Sequence, residues 1–178
     1  MMDYATIYQK IHEEKPKHWA GTTIRRHVDK IAALVLETHA KSLLDYGCGK
    51  GFQYLRDRVH DQWGGLLPHC FDVGVRQLSA RPERRFDGVI STDMLEHVEE
   101  QDVEAIIADI VGFADRDRWR HSGLNAFVFL SISCKPCKDI VLPDGRNGHI
   151  CLKPPEWWRE RINKHRAGGL IIETAFDV

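Results

Sequence analysis

The sequence predicts an α/β fold, a mostly parallel sheet flanked by helices, on three observations. Short apolar runs recur along the 178 residues, separated by segments with helical spacing. The run Ala126 to Ile132 is apolar almost throughout, as in a strand covered on both faces. The stretch Ser42-Leu43-Leu44-Asp45-Tyr46-Gly47-Cys48-Gly49-Lys50-Gly51 passes from an apolar run through an acid into three glycines at alternate positions. A strand, a tight glycine turn and a helix start are the parts with which an α/β protein receives a nucleoside-bearing ligand.

Taken in order, Tyr4, Ile7, Tyr8 and Ile11 recur at helical spacing, and a Lys/Pro break follows at Glu14 to Lys17. Thr22 to Thr38 reads as a second helix with Ile24, Val28, Ile31, Leu34 and Val35 on one face. Leu43 to Tyr46 is the first strand, and Phe52 to Val59 the helix behind the glycine turn. Leu67 to Asp72 is a short strand closed by an acid, and Phe86 to Thr92 is the next. Glu100 to Ala114 reads as a helix carrying Val103, Ile106, Ile107, Ile110 and Val111. Turn signals at Pro136, Pro143-Asp144-Gly145 and Asn147-Gly148 follow the strand Ala126 to Ile132. Pro154-Pro155-Glu156 opens a helix to about His165, and Leu170 to Ala175 is a last strand. Alternating β and α elements favour a parallel sheet.

Composition narrows the class. Hydrophobic residues make up 43% and charged residues 29%, the balance of an ordinary globule. A chain of this length folds as a single domain, residues 1–178, with 1–40 as an N-terminal helical cap and 41–178 as the α/β core. The longest purely apolar run, Ile31 to Leu36, is too short to span a bilayer, and no secretory signal is visible. Five cysteines, an odd number, are expected as reduced thiols in a cytoplasmic protein. A formal net charge of -1 argues against wholesale binding of nucleic acid. Charge is uneven, however: Glu96 to Glu104 holds five acids, and Lys153 to Arg166 five Lys/Arg against two Glu. Two readings stand there, local recognition of an anion and a solvated helix face, and the second is the expected one.

Spacing separates the glycine turn from two rivals. A dinucleotide fingerprint needs a third glycine where Phe52 stands, and a phosphate loop needs Ser or Thr where Gly51 stands. What remains, Asp45-x-Gly47-x-Gly49-x-Gly51, resembles the first motif of the class I S-adenosylmethionine (SAM)-dependent methyltransferases. A second segment about 40 residues on, Phe86-Asp87-Gly88-Val89-Ile90-Ser91-Thr92-Asp93-Met94-Leu95-Glu96-His97-Val98, looks like that family's strand and post-strand turn. Small stand-alone bacterial and phage methyltransferases look most similar. The resemblance covers most of the chain from residue 42 onward.

The resemblance implies a shortened, Rossmann-like methyltransferase fold and a set of cofactor contacts. Around SAM it would put Asp45, Tyr46, Gly47, Gly49, Gly51, Asp72, Leu78, Ser91, Thr92 and Asp93. Asp72 closes the second strand, and an ionised acceptor there suits the two ribose hydroxyls. An exposed turn Asp is the equal alternative. One departure is plain: only fourteen positions separate Asp72 from Phe86, where the family fits a helix and a further strand. The usual adenine-contacting acid has no counterpart, and Leu78 and Ser79 are the residues left near that position. Room remains for one terminal strand.

Asp93, Glu96 and His97 stand at i, i+3 and i+4, so a helical turn would point all three to one side. With the later His149 they look like the metal-binding set of small-RNA 2′-O-methyltransferases and ubiquinone-pathway O-methyltransferases, which suits Mg²⁺ or Mn²⁺. Glu96, His97 and His149 are accordingly the catalytic candidates, with the metal or His149 easing removal of the acceptor's proton. A helix N-cap box at Asp93-x-x-Glu96 is the structural alternative. Cys134, Cys137, His149 and Cys151 form a rival zinc pattern, though His-x-Cys is an unusual spacing. Of Trp157-Trp158, one indole is expected in the core and the other is open to an acceptor. The expected activity is methyl transfer from SAM to an oxygen, less readily a nitrogen, of a small hydroxylated molecule or a nucleic-acid terminus. The alternatives are a non-catalytic module binding SAM or S-adenosylhomocysteine and a nucleotide-binding enzyme such as an NAD-dependent oxidoreductase.

Overall fold

A computed structural model describes residues 4–14, 21–138, 140–142 and 144–178. Its centre is one sheet of five parallel strands: β1 Leu43–Tyr46, β2 His69–Phe71, β3 Gly88–Thr92, β4 Ala126–Ser133 and β5 Leu170–Asp177. The strand order is β2-β1-β3-β4-β5. The helices are α1 Tyr4–Glu14, α2 Val28–Thr38, α3 Phe52–Leu55, α4 Val103–Gly112, α5 Arg118–Ser122 and α6 Pro155–Asn163.

The alternation of side chains along a strand builds two cores from one sheet. Leu44, Val89, Val128, Leu130 and Ile132 face one side, where α4 and α6 supply Ile107, Ile110, Trp158 and Ile162. Leu43, Ile90, Phe127 and Phe129 face the other, against Ile24, Ile31, Leu34 and Trp63. All eight residues of β4 are buried, as its apolar sequence requires. Gly88 belongs to the packing rather than to a turn. It lies opposite Phe127 in the ladder, and a Cβ there would run into the Phe127 ring and stand 2.7 Å from Leu43 Cδ2.

The strands lie where the sequence puts them, and the helices are shorter than their periodicity suggests. Thr22 to Thr38 is not one helix: a 3-10 turn, Thr23–His27, precedes α2, and His27, at φ -123°, is the N-cap between them. The helix behind the glycine turn ends at Leu55. Arg58, at φ 49°, then turns the chain into a separate 3-10 segment, Val59–Trp63. Phe86 stays outside β3 and bridges Ala114 instead. Between β2 and β3 the only regular element is a 3-10 turn, Arg76–Leu78, so no further strand is inserted there. Lys15 to Lys17 and Pro143, part of the expected break and turn, lie outside the described residues. The two oppositely charged stretches meet each other. Lys153 Nζ is 2.6 Å from Glu100, and Lys164 and His165 both reach Glu104. The basic stretch is therefore matched from within the chain.

Among the described residues no helix is long and apolar enough to cross a membrane. The packing at Gly88 gives a direct test. Gly88→Ala is expected to lower stability by about 1–3 kcal/mol in urea unfolding, and Phe127→Leu in the same chain should recover part of the loss.

Candidate functional site

The strand order fixes where a ligand can enter. From β1 the chain moves to one edge at β2, then crosses back to β3 on the other side of β1. The loops leaving β1 and β3 part in opposite directions, opening a crevice at the carboxyl ends of the strands, the usual ligand position in open parallel sheets.

The glycine turn forms one lip. Gly47, Gly49 and Gly51 take φ of 77°, 57° and 65°, all left-handed, which is why glycine alternates there. Asp72, directly after β2, braces the turn. Its Oδ2 accepts the Gly49 N–H at 2.7 Å, and its Oδ1 accepts the Gly74 N–H at 2.8 Å. Each oxygen keeps a further lone pair. Gly21 lies against the turn with its carbonyl accepting the N–H of Gln53, and a Cβ at Gly21 would meet the Cys48 carbonyl.

Beneath the turn Asp45 is fully buried. Its Oδ2 accepts from Gln53 Nε2 at 3.0 Å and from the Tyr54 hydroxyl at 2.8 Å. Burial pushes its pKa up from 3.8 to about 7, against the pull of these two donors. Asp45 Oδ1 and Gln53 Oε1 are buried acceptors with no hydrogen-bond donor.

α1 lies across the outer side of the crevice. Tyr8 OH donates to the His97 carbonyl at 2.6 Å, and Gln9 Nε2 to the Val73 carbonyl at 3.3 Å. A Cβ at Gly74 would touch Tyr8 and His12, so this glycine is what lets α1 approach. His12 is close enough to Asp72 and Lys50 to feel both charges.

The turn after β3 differs most from expectation. Asp93, Glu96 and His97 do not lie on one helical turn, because Asp93 takes φ 49° and only Leu95–His97 forms a 3-10 turn. Asp93 Oδ1 accepts from Ser131 Oγ at 2.9 Å. Glu96 is fully buried, and its Oε1 accepts the Ser133 N–H at 2.9 Å. Burial, with Asp93 nearby, raises its pKa well above the usual carboxylate value. The N-cap of the 3-10 turn is Met94 with no side-chain cap bond, so the capping-box alternative fails as well.

His97 Nδ1 lies 2.7 Å from the Gly148 carbonyl, and His149 Nδ1 lies 2.6 Å from the Lys135 carbonyl. A carbonyl can only accept, so in both rings Nδ1 carries a hydrogen. The rings meet edge-to-face at 4.8 Å. Burial lowers the pKa of His97 to about 4, so it stays neutral.

Among the described residues no three His, Cys, Asp or Glu side chains are arranged to hold a metal ion. Asp93, Glu96, His97 and His149 fail as a set because Glu96 points into the core and Asp93 toward Ser131. Cys134, Cys137, His149 and Cys151 form no such group either, and all five cysteines are free of disulfides. Tyr46 turns its side chain away from the crevice and donates to Asp109 at 2.9 Å. Ser91 is buried with its hydroxyl unpartnered, Thr92 is half-buried, and the Leu78 carbonyl accepts the Asp72 N–H. Trp158 is the core indole, and Trp157 is stacked by Arg161 at 3.4 Å.

Comparison with protein-family models, with curated proteins and with solved structures returns no match for this chain.

Gly21, Gln53, Tyr54 and Tyr8 are site neighbours that the sequence does not single out. Gln53 and Tyr54 follow the turn directly, and a buried acid before it needs donors. That signal was available; the others depend on distant packing.

The pH dependence of Asp45 is testable. Between about pH 4 and 7 the folded chain keeps a proton that the unfolded chain has lost, so this group makes stability fall as pH rises. Asp45→Asn keeps an acceptor for Gln53 and Tyr54 and removes the titration. Its stability relative to wild type is expected to climb across that interval by up to about 4 kcal/mol, read from urea unfolding at several pH values. A flat difference would show that Asp45 ionises normally.

Proposed function

We propose that the chain binds SAM at the crevice and transfers its methyl group to a hydroxyl oxygen, as a small Rossmann-like methyltransferase. The observation that carries this reading is the pairing of the three left-handed glycines with the strand-end carboxylate of Asp72. The resemblance assigns both to this cofactor, and they stand in contact.

The residues present fit the group. Asp45 Oδ1 and Gln53 Oε1 are buried acceptors short of a donor, and an ammonium such as that of the methionine moiety carries three. The remaining lone pairs on Asp72 suit vicinal hydroxyls. The half-buried, apolar Leu78 and Val75 suit the edge of a base. When bound, SAM supplies an electrophilic methyl group on a sulfonium.

The chain's own part is orientation and proton removal. α1, through Tyr8 and Gln9, covers the strand ends and keeps water from the reacting atoms. Positioning of an acceptor oxygen in line supplies much of the rate, and a neutral imidazole with a basic Nε2 can take the hydroxyl proton. His97 and Glu96 are too buried to touch an acceptor and act instead as braces of the β3 turn. Among the described residues no ligand set fits Mg²⁺ or Mn²⁺.

Calorimetric titration of the full chain with SAM and S-adenosylhomocysteine tests the reading. Micromolar binding, unchanged by added Mg²⁺ or Mn²⁺ and at least tenfold weaker in Asp72→Asn, is expected. A folded wild-type chain that binds neither compound would remove the reading, and tight binding without methyl transfer would favour a non-catalytic module.

A further inference from the structure

Two thiols meet beneath the glycine turn. Cys70 is the middle residue of β2 and the ladder partner of Asp45, so its side chain shares the face of the sheet on which Asp45, Gln53 and Tyr54 lie. The turn folds back over the end of β2, because the N–H groups of Gly47 and Cys48 both donate to the Phe71 carbonyl, at 2.8 and 3.4 Å. Cys48 is thereby brought beside the residue that precedes Phe71. Cys70 Sγ lies against the turn itself. A Cβ at Gly51 would stand 3.5 Å from it, and the Gly51 N–H donates to the Cys48 carbonyl at 3.2 Å. The two thiols hydrogen-bond to each other, and the Cys48 thiol also donates to the Gly49 carbonyl at 3.3 Å. The bond to Cys70, with burial, pushes the pKa of Cys48 up. Cys48 is buried, whereas Cys70 is half-buried.

We propose that Cys48 and Cys70 are an oxidisable pair, which a hydroperoxide converts into a disulfide tying the glycine turn to β2. The pair uses none of the side chains assigned to methyl transfer and stands apart from that reading. Cys70 is the point of entry because it is the less covered of the two. Its sulfur attacks one oxygen of hydrogen peroxide, the O–O bond breaks, and water leaves with a sulfenic acid left on Cys70. The Cys48 sulfur then attacks the Cys70 sulfur. The S–O bond breaks, and the hydroxyl departs as a second water with the Cys48 proton. Two thiols and one peroxide become one disulfide and two waters; the sulfurs lose two electrons and the peroxide gains them. A protonated resolving thiol makes the second step the slower one, so the sulfenic acid can be trapped. The new bond consumes the hydrogen that Cys48 gives to the Gly49 carbonyl, so oxidation removes one of the turn's own hydrogen bonds.

The test treats the reduced full chain with hydrogen peroxide, blocks the remaining thiols with N-ethylmaleimide and weighs the tryptic peptides without reduction. Lys50, Arg56 and Arg58 lie between the two cysteines, so the bond appears as peptide 42–50 linked to peptide 59–76. This pair is expected as the main disulfide, ahead of any bond among Cys134, Cys137 and Cys151, and dithiothreitol should release it. In Cys48→Ser, dimedone should label Cys70 at least fivefold more than in wild type, because the resolving thiol is gone. A dominant Cys134–Cys137 bond overturns the proposal, as does N-ethylmaleimide on both Cys48 and Cys70 after the other cysteines have oxidised. In urea the preference for the pair should disappear. The same preference there would trace it to chain order instead of the fold, and overturns the proposal too. No cofactor enters the experiment, so its result is independent of whether the crevice binds SAM.

Discussion

The carboxylate of Asp72 holds the crevice in shape. A three-glycine turn has little intrinsic preference for one conformation, because each glycine gives up more backbone freedom on folding than any other residue. Here one charge fixes it from the neighbouring strand. Asp72 takes the Gly49 N–H with one oxygen and the Gly74 N–H with the other, so the loops leaving β1 and β2 become one rigid rim. Charge-assisted bonds to backbone N–H groups are among the stronger hydrogen bonds available. The short link between Asp72 and β3 follows the same logic. With Asp72 N–H donating to the Leu78 carbonyl and Leu78 N–H to the Val75 carbonyl, the segment folds back at once and needs no inserted strand.

Two further acids lie below the rim, and their situation is costly. Asp45 and Glu96 are both fully buried, and each keeps one oxygen without a donor. Burial without compensation is among the larger local penalties in a protein, and it moves both carboxyls toward their neutral forms. They differ in what they hold. Glu96 joins the β3 turn to the end of β4 through the Ser133 N–H, and its own carbonyl accepts the Cys151 N–H, so it is a knot between three segments. Asp45 is attached to one short helix, α3, through Gln53 and Tyr54, and its open oxygen lies next to the turn. Asp45 and Gln53 together leave two buried acceptors without donors, one on either side of the glycine turn in sequence, whereas Glu96 leaves one.

The strands were legible in the sequence for a simple reason. Buried parallel strands are short apolar runs bounded by turn residues, and Leu43 to Tyr46 and Ala126 to Ile132 have no competing reading. Helix ends were less legible because periodicity continues through a break: Ile24 keeps its place in the apolar pattern although it stands in the 3-10 turn before α2. At the site, the glycine turn was readable because its chemistry is local. The geometry of the acid/histidine cluster was less legible because the i, i+3, i+4 argument assumes a helix, and a single left-handed residue, Asp93, interrupts it. The matching of Lys153 and Lys164 with Glu100 and Glu104 joins residues more than fifty positions apart, which neither stretch discloses alone.

The loop after β4 shows how a side chain can replace regular structure near such a site. Asn147 accepts the Cys137 N–H and the His149 N–H with Oδ1, and donates from Nδ2 to the Cys137 carbonyl. One amide thereby imitates a strand pairing across the loop and sets the direction in which His149 leaves the backbone. The Gly148 carbonyl then receives His97, and Gly148 itself packs against Ile140, where a Cβ would stand 2.9 Å from Ile140 Cβ. The imidazole pair is thus fixed by loop residues, and α1 closes over it through Tyr8. Loops carried on a rigid sheet are where ligand contacts are commonly varied. In this chain one side of the crevice is set by the sheet and its glycine turn, while the far side is set by Asn147, Gly148 and α1, parts that lie outside the strands.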